Sequence, residues 1–214
     1  MTQDFIVGKD GYEGGEEVWE CSQDLVDYIR QAGNDITRSL CSDQDGEPLR
    51  ILELGCGHAK PSWALVSELD KLGVLWTLTL QDLDAPSLEK ARETFAQYRN
   101  LDRVQFVEGE WSQLGDTQLA STPYDIVLMS ETLYRASIFP VLSRLLRQVL
   151  APQSGLCLSA QKRFYFGLDG GSLPFLLYTK ENGCGLSCRL VKDLQDGRSN
   201  IRDIMAITSA STSP

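Results

Sequence analysis

The chain has 214 residues, 42% of them apolar, enough to bury one full core within the size of a single domain. A formal net charge of -10 argues against a nucleic-acid backbone as the main partner, because such binding rests on clustered Lys and Arg, and it suits a basic protein partner. Six cysteines without CxxC spacing and a single histidine, His58, argue against a structural zinc site, so no metal is expected.

Residues 1–17 are polar and carry four glycines (Gly8, Gly11, Gly14, Gly15), which predicts an N-terminal arm ahead of a domain over 18–214. Met1-Thr2-Gln3-Asp4 has neither a basic flank nor a hydrophobic signal core, and no apolar run approaches the roughly 20 residues that span a bilayer. The thiols therefore read as reduced and intracellular.

Val18, Cys21, Leu25, Tyr28 and Ile29 follow the three- and four-residue steps of an amphipathic helix, and a polar, acidic loop is expected over 34–48. Leu49 to Leu54 is a short apolar run ending before Gly55, the pattern of a buried parallel strand. Helices are predicted over 61–72, 85–98 and 137–150, with strands over 74–80, 104–107, 124–129 and 155–159. This alternation predicts an α/β fold with a doubly wound, mostly parallel sheet. A helix over 173–180 then precedes strand-like stretches 185–191 and 201–208, whose Asp196-Gly197 link favours an antiparallel hairpin at the sheet edge.

The segment Glu53-Leu54-Gly55-Cys56-Gly57-His58-Ala59 falls where the first strand turns into a helix, the place where open α/β sheets bind ligands. Gly55 and Gly57 allow close backbone approach, although a tight turn alone also needs glycine. A dinucleotide site would place a third glycine at position 60, which is Lys60. Glu53 ends the first strand, where a carboxylate can accept from an α-ammonium, and Asp82 ends the second, where an acidic residue reaches ribose hydroxyls. Two acidic strand ends beside a glycine turn fit a nucleoside with a positively charged tail.

Glu108-Gly109-Glu110-Trp111 follows the third strand, with Trp111 suited either to an adenine face or to plugging the core. The fourth strand ends in Ser130-Glu131-Thr132-Leu133-Tyr134, which places a carboxylate and a phenol where an acceptor would sit, though Glu131 equally suits a helix cap.

Six segments together carry a resemblance. They are Gly14-Gly15-x-x-Val18-Trp19-Glu20-Cys21, Leu54 to Gly57, Gln81-Asp82, Gly109 to Ser112, Tyr124 to Tyr134, and Tyr165-Phe166-Gly167-x-x-Gly170-Gly171. On these the chain resembles the protein-histidine N-methyltransferases of the methyltransferase-like superfamily, the branch that modifies a large-subunit ribosomal protein. The resemblance implies a seven-strand Rossmann-like methyltransferase domain that uses S-adenosyl-L-methionine. It implies that Trp19, Glu53, Gly55, Cys56, Gly57, Asp82, Glu110, Trp111 and Ser130 border the cofactor. Glu131 and Tyr134 would be catalytic, and Tyr165, Phe166, Gly167, Gly170 and Gly171 would face the substrate.

Three departures stand out: Ala59 in place of a third glycine, His58 where a small residue is usual, and Leu83-Asp84 where Tyr-Asn is common. Similar proteins also carry a longer N-terminal region. The expected partner is a basic ribosomal protein, with no direct nucleic-acid or membrane binding, and the expected form is a cytoplasmic, and also nuclear, monomer. The rival functions are a protein-lysine methyltransferase on the same scaffold, a non-catalytic cofactor-binding module and a small-molecule methyltransferase.

Overall fold

The computed structural model describes residues 18–41, 46–114, 119, 122–195, 197 and 200–210. The predicted arm and Asp196 of the predicted hairpin link lie outside them. Seven strands, β1 (Leu49–Leu54), β2 (Trp76–Asp82), β3 (Val104–Glu108), β4 (Ile126–Ser130), β5 (Leu156–Lys162), β6 (Leu186–Leu194) and β7 (Arg202–Ser209), form one sheet in the order β3-β2-β1-β4-β5-β7-β6. The first five are mutually parallel, and β7 runs antiparallel to both β5 and β6. Helices α1 (Glu20–Cys41), α2 (Lys60–Leu72), α3 (Ala85–Phe95), α4 (Trp111–Leu114), α5 (Phe139–Val149) and α6 (Ser172–Glu181) connect and cover it.

Alternating side chains give each sheet face its own core. Leu49, Ile51, Leu78, Leu80, Ile126 and Leu128 pack with α1, α2 and α3, while Leu52, Leu54, Val127, Met129 and Met205 pack with α5 and α6. Among the described residues no helix is long and apolar enough to cross a membrane.

Several boundaries differ from the sequence reading, each for a local reason. The backbone of α1 continues through the expected loop to Cys41, because polar residues do not stop a helix and neither Gly nor Pro occurs between Asn34 and Cys41. Val18 precedes this helix and is exposed, outside the buried stripe of Cys21, Leu25 and Ile29. Strand β2 begins two residues late because its register is set by β1, with Leu49 opposite Trp76. The C-terminal pair is antiparallel, but β7 inserts between β5 and β6, so of the two only β6 lies at an edge.

Two of the departing residues acquire local explanations. Ala59 precedes α2 at φ 50°, a left-handed backbone that costs a non-glycine residue about 1–2 kcal/mol. This accounts for a glycine preference at that position. Asp84 caps α3, its carboxylate accepting from Ser87 N at 2.9 Å.

Candidate functional site

Strand β1 lies between β2 and β4, so successive connections leave it in opposite directions and open a crevice over the strand C-termini. A cavity of about 400 Å³ occupies that crevice. It collects Trp19, Gly55, Cys56, Gly57, Asp82, Glu110, Trp111, Ser130, Glu131, Tyr134 and Tyr165, eleven residues singled out from the sequence. His58 lines it as well.

The floor is a braced glycine turn. Gly55 has φ 62°, and a Cβ there would lie 3.2 Å from Thr132 Cγ2 and 3.5 Å from Trp111 Cζ2, filling the space the turn keeps open. Asp82, at the end of β2, accepts from Gly57 N at 2.7 Å and from Leu83 N at 2.7 Å. Gln81 accepts from Trp111 Nε1 at 2.7 Å and donates to Gly109 O at 2.7 Å. Trp111 thus both packs against the core and presents its ring to the cavity.

Glu53 is placed differently from its expected role. It does not line the cavity; it is 1% exposed behind the turn and accepts from Ser62 N at 3.0 Å in the first turn of α2. Desolvation by burial pushes its carboxyl up to about 8, against the lowering effect of the Ser62 bond. A strand-end position alone could not distinguish facing the ligand from facing the helix.

The opposite wall is built around Glu131, which follows β4 with φ 53°. Its Oε2 accepts from Tyr165 Oη at 2.6 Å, and Oε1 is buried without a hydrogen-bond partner among the described residues. Burial and the charge of Glu131 push the Tyr165 phenol well up. Gln161, fully buried, accepts from Thr132 N at 2.9 Å and Leu133 N at 3.0 Å, fixing the turn that aims Glu131.

The loop 163–171 supports this turn from outside. Gly170 N and Gly171 N donate to Tyr134 O at 3.2 Å and Leu133 O at 2.7 Å, and Asp169 accepts from Ala136 N at 2.9 Å. A Cβ on Gly170 would lie 2.1 Å from Leu133 O. Gly170 and Gly171 are buried in backbone packing, Phe166 is 80% exposed and Gly167 is exposed, so of the five expected substrate-facing residues only Tyr165 lines the cavity. The other four shape or flank it.

Lys162, the last residue of β5, lines the cavity and was missed. The strand predicted over 155–159 stops three residues short of it, because polar Gln161 and Lys162 do not continue the apolar run. Its ammonium is 3.8 Å from Glu131 Oε1, and 5.5 and 5.6 Å from the ring centroids of Trp19 and Tyr165. Arg202 of β7 donates to Asp24 at 2.5 Å, anchoring the start of α1 just after Trp19.

Residues 4–169 match the lysine methyltransferase family. The chain belongs to that family. This member is also 31% identical over 209 residues to a histidine protein methyltransferase 1 homolog of Dictyostelium discoideum, covering 96% of this chain and 60% of the relative. A Bos taurus protein of the same name is 29% identical over 204 residues, covering 83% of this chain and 51% of its own length. The chain thus spans between half and three-fifths of these relatives. The carbon methyltransferase CurJ superposes with a TM-score of 0.68 at 15% identity, over 89% of this chain and 55% of that one, and shares the fold.

Membership brings S-adenosyl-L-methionine as the family's methyl donor, and the cavity fits it. The open space over Gly55, the indole of Trp111 and the carboxylates of Asp82 and Glu110 suit a nucleoside. At the other wall, buried Glu131 Oε1 has no hydrogen-bond partner among the described residues.

Proposed function

We propose that this chain is a protein-histidine N-methyltransferase acting on a basic ribosomal protein in the cytoplasm or nucleus. The single observation that carries the reading is Glu131: one carboxylate oxygen is held by the Tyr165 phenol, and the other is buried in the cavity wall without a hydrogen-bond partner among the described residues. Similarity to histidine protein methyltransferase 1 homologs supports the same acceptor.

When bound, the cofactor supplies a methyl group already activated by a positive sulfur, so the chain's main task is alignment. Gly55, Gly57 and Asp82 would hold the nucleoside end, and Trp111 would flank the base. An imidazole with a pKa of about 6.5 is mostly neutral at pH 7 and already carries a lone pair on one nitrogen. Glu131 Oε1 accepts a hydrogen bond from the other nitrogen, which selects the tautomer and stabilises the imidazolium as it forms. Tyr165 keeps the carboxylate oriented, and Tyr134 shapes the acceptor side.

The family's description as lysine methyltransferases favours a second reading, in which the acceptor ammonium must first lose a proton. The test is transfer of labelled methyl groups to unfractionated ribosomal protein from cells lacking the enzyme, followed by acid hydrolysis and amino-acid analysis. Label in methylhistidine is expected. Label confined to methyllysine, or no transfer by protein that binds S-adenosylhomocysteine, would overturn the proposal.

A further inference from the structure

Lys162 sets a cation in the cavity wall beside Glu131. Lys162 Nζ lies within 6 Å of two aromatic rings, 5.5 Å from that of Trp19 and 5.6 Å from that of Tyr165, the range of cation–π attraction. The side chain is only 12% exposed and its carboxylate neighbour Glu131 only 8%, so water screens the arrangement weakly. At 3.8 Å, Nζ offsets the charge of Glu131 Oε1 without making a hydrogen bond to it. Tyr165 occupies Oε2, Lys162 supplies the countercharge, and Oε1 is buried with no hydrogen-bond partner among the described residues.

From this geometry we infer that Lys162 is a specificity filter: its ammonium fills the aromatic and acidic niche beside Glu131, barring an ammonium acceptor while admitting a neutral imidazole. The inference rests on the histidine reading and gives it a structural cause. At this wall an ammonium acceptor would meet two cations, Lys162 and the cofactor sulfonium, and the carboxylate of Glu131, while Asp82 and Glu110 stand at the nucleoside end of the cavity. An imidazole adds no charge, and it needs from this wall only one hydrogen-bond acceptor, which Oε1 provides.

The test compares wild type, Lys162→Met and Lys162→Arg, each with labelled S-adenosylmethionine and unfractionated ribosomal protein from cells lacking the enzyme. The ratio of methyllysine to methylhistidine is read after acid hydrolysis, and S-adenosylhomocysteine binding is measured in parallel. Wild type and Lys162→Arg, which keeps the charge, are expected to label histidine. Lys162→Met is expected to raise the ratio at least tenfold, a change of about 1.4 kcal/mol in discrimination. An unchanged ratio in a Lys162→Met protein that binds S-adenosylhomocysteine normally overturns the filter, as does label found on Lys162 itself. If Lys162→Met does not bind S-adenosylhomocysteine, Lys162→Gln carries the same comparison. Wild type labelling only lysine would instead refute the histidine reading, which separates the two failures.

Discussion

Replacing Glu53 with Gln should make the protein more stable at neutral and alkaline pH, although Glu53 is buried behind the glycine turn. Its carboxyl is 1% exposed, and burial raises its pKa from 4.5 to about 8. In the unfolded chain the group ionises near its ordinary value, so between these two values the folded state binds more protons than the unfolded state. Stability therefore falls as pH rises from about 4.5 to about 8. Each pH unit climbed within that window costs about 1.4 kcal/mol, so the penalty grows by about 3 kcal/mol between pH 5 and pH 7. Gln cannot ionise and keeps a carbonyl to accept from Ser62 N, so the variant escapes that loss. Urea denaturation midpoints of both proteins at half-unit steps from pH 5 to 8.5 give the measurement. The curves should lie close together at pH 5 and separate upward, with the variant the more stable. Parallel curves, or a wild type that gains on the variant as pH rises, would show that the first turn of α2 holds Glu53 ionised and would refute the reasoning.

Three further outcomes follow from the site's bracing. Gly170→Ala sets a Cβ 2.1 Å from the Leu133 carbonyl and 2.3 Å from Tyr134 C, so thermal unfolding should report a loss of about 2–4 kcal/mol from overpacking and weakened loop bonds. Tyr165→Phe removes the 2.6 Å bond to Glu131 and leaves a buried carboxylate oxygen unsatisfied; denaturation should show a loss of about 1.5–3 kcal/mol, with methyl transfer reduced. Asp82→Asn keeps one carboxylate-like oxygen where two hold Gly57 N and Leu83 N, so calorimetric titration with S-adenosylhomocysteine should show binding weakened about tenfold, or about 1.4 kcal/mol.

The strand–helix alternation and the glycine turn could be read directly, because parallel strands buried on both faces appear as apolar runs and their C-terminal ends must meet at the crevice. That logic brought Gly55, Asp82, Trp111 and Glu131 to one cavity. It failed where direction, not position, decides: Glu53 ends its strand yet turns toward α2. It also failed where an element was read too short. Polar Gln161 and Lys162 extend β5, one as the buried clamp of the Glu131 turn and the other as a wall of the cavity. The resemblance sets Gly170 and Gly171 facing the substrate, but their task is visible only in three dimensions, where two main chains pass too close for any side chain.

A neutral imidazole acceptor is tested most directly by the single-turnover rate of methyl transfer to the basic ribosomal-protein fraction, followed from pH 6 to 9.5. The rate should rise through the imidazole range near pH 6.5 and then level off, with methylhistidine as the product. A rate that keeps climbing above pH 8, with label in methyllysine, would contradict it.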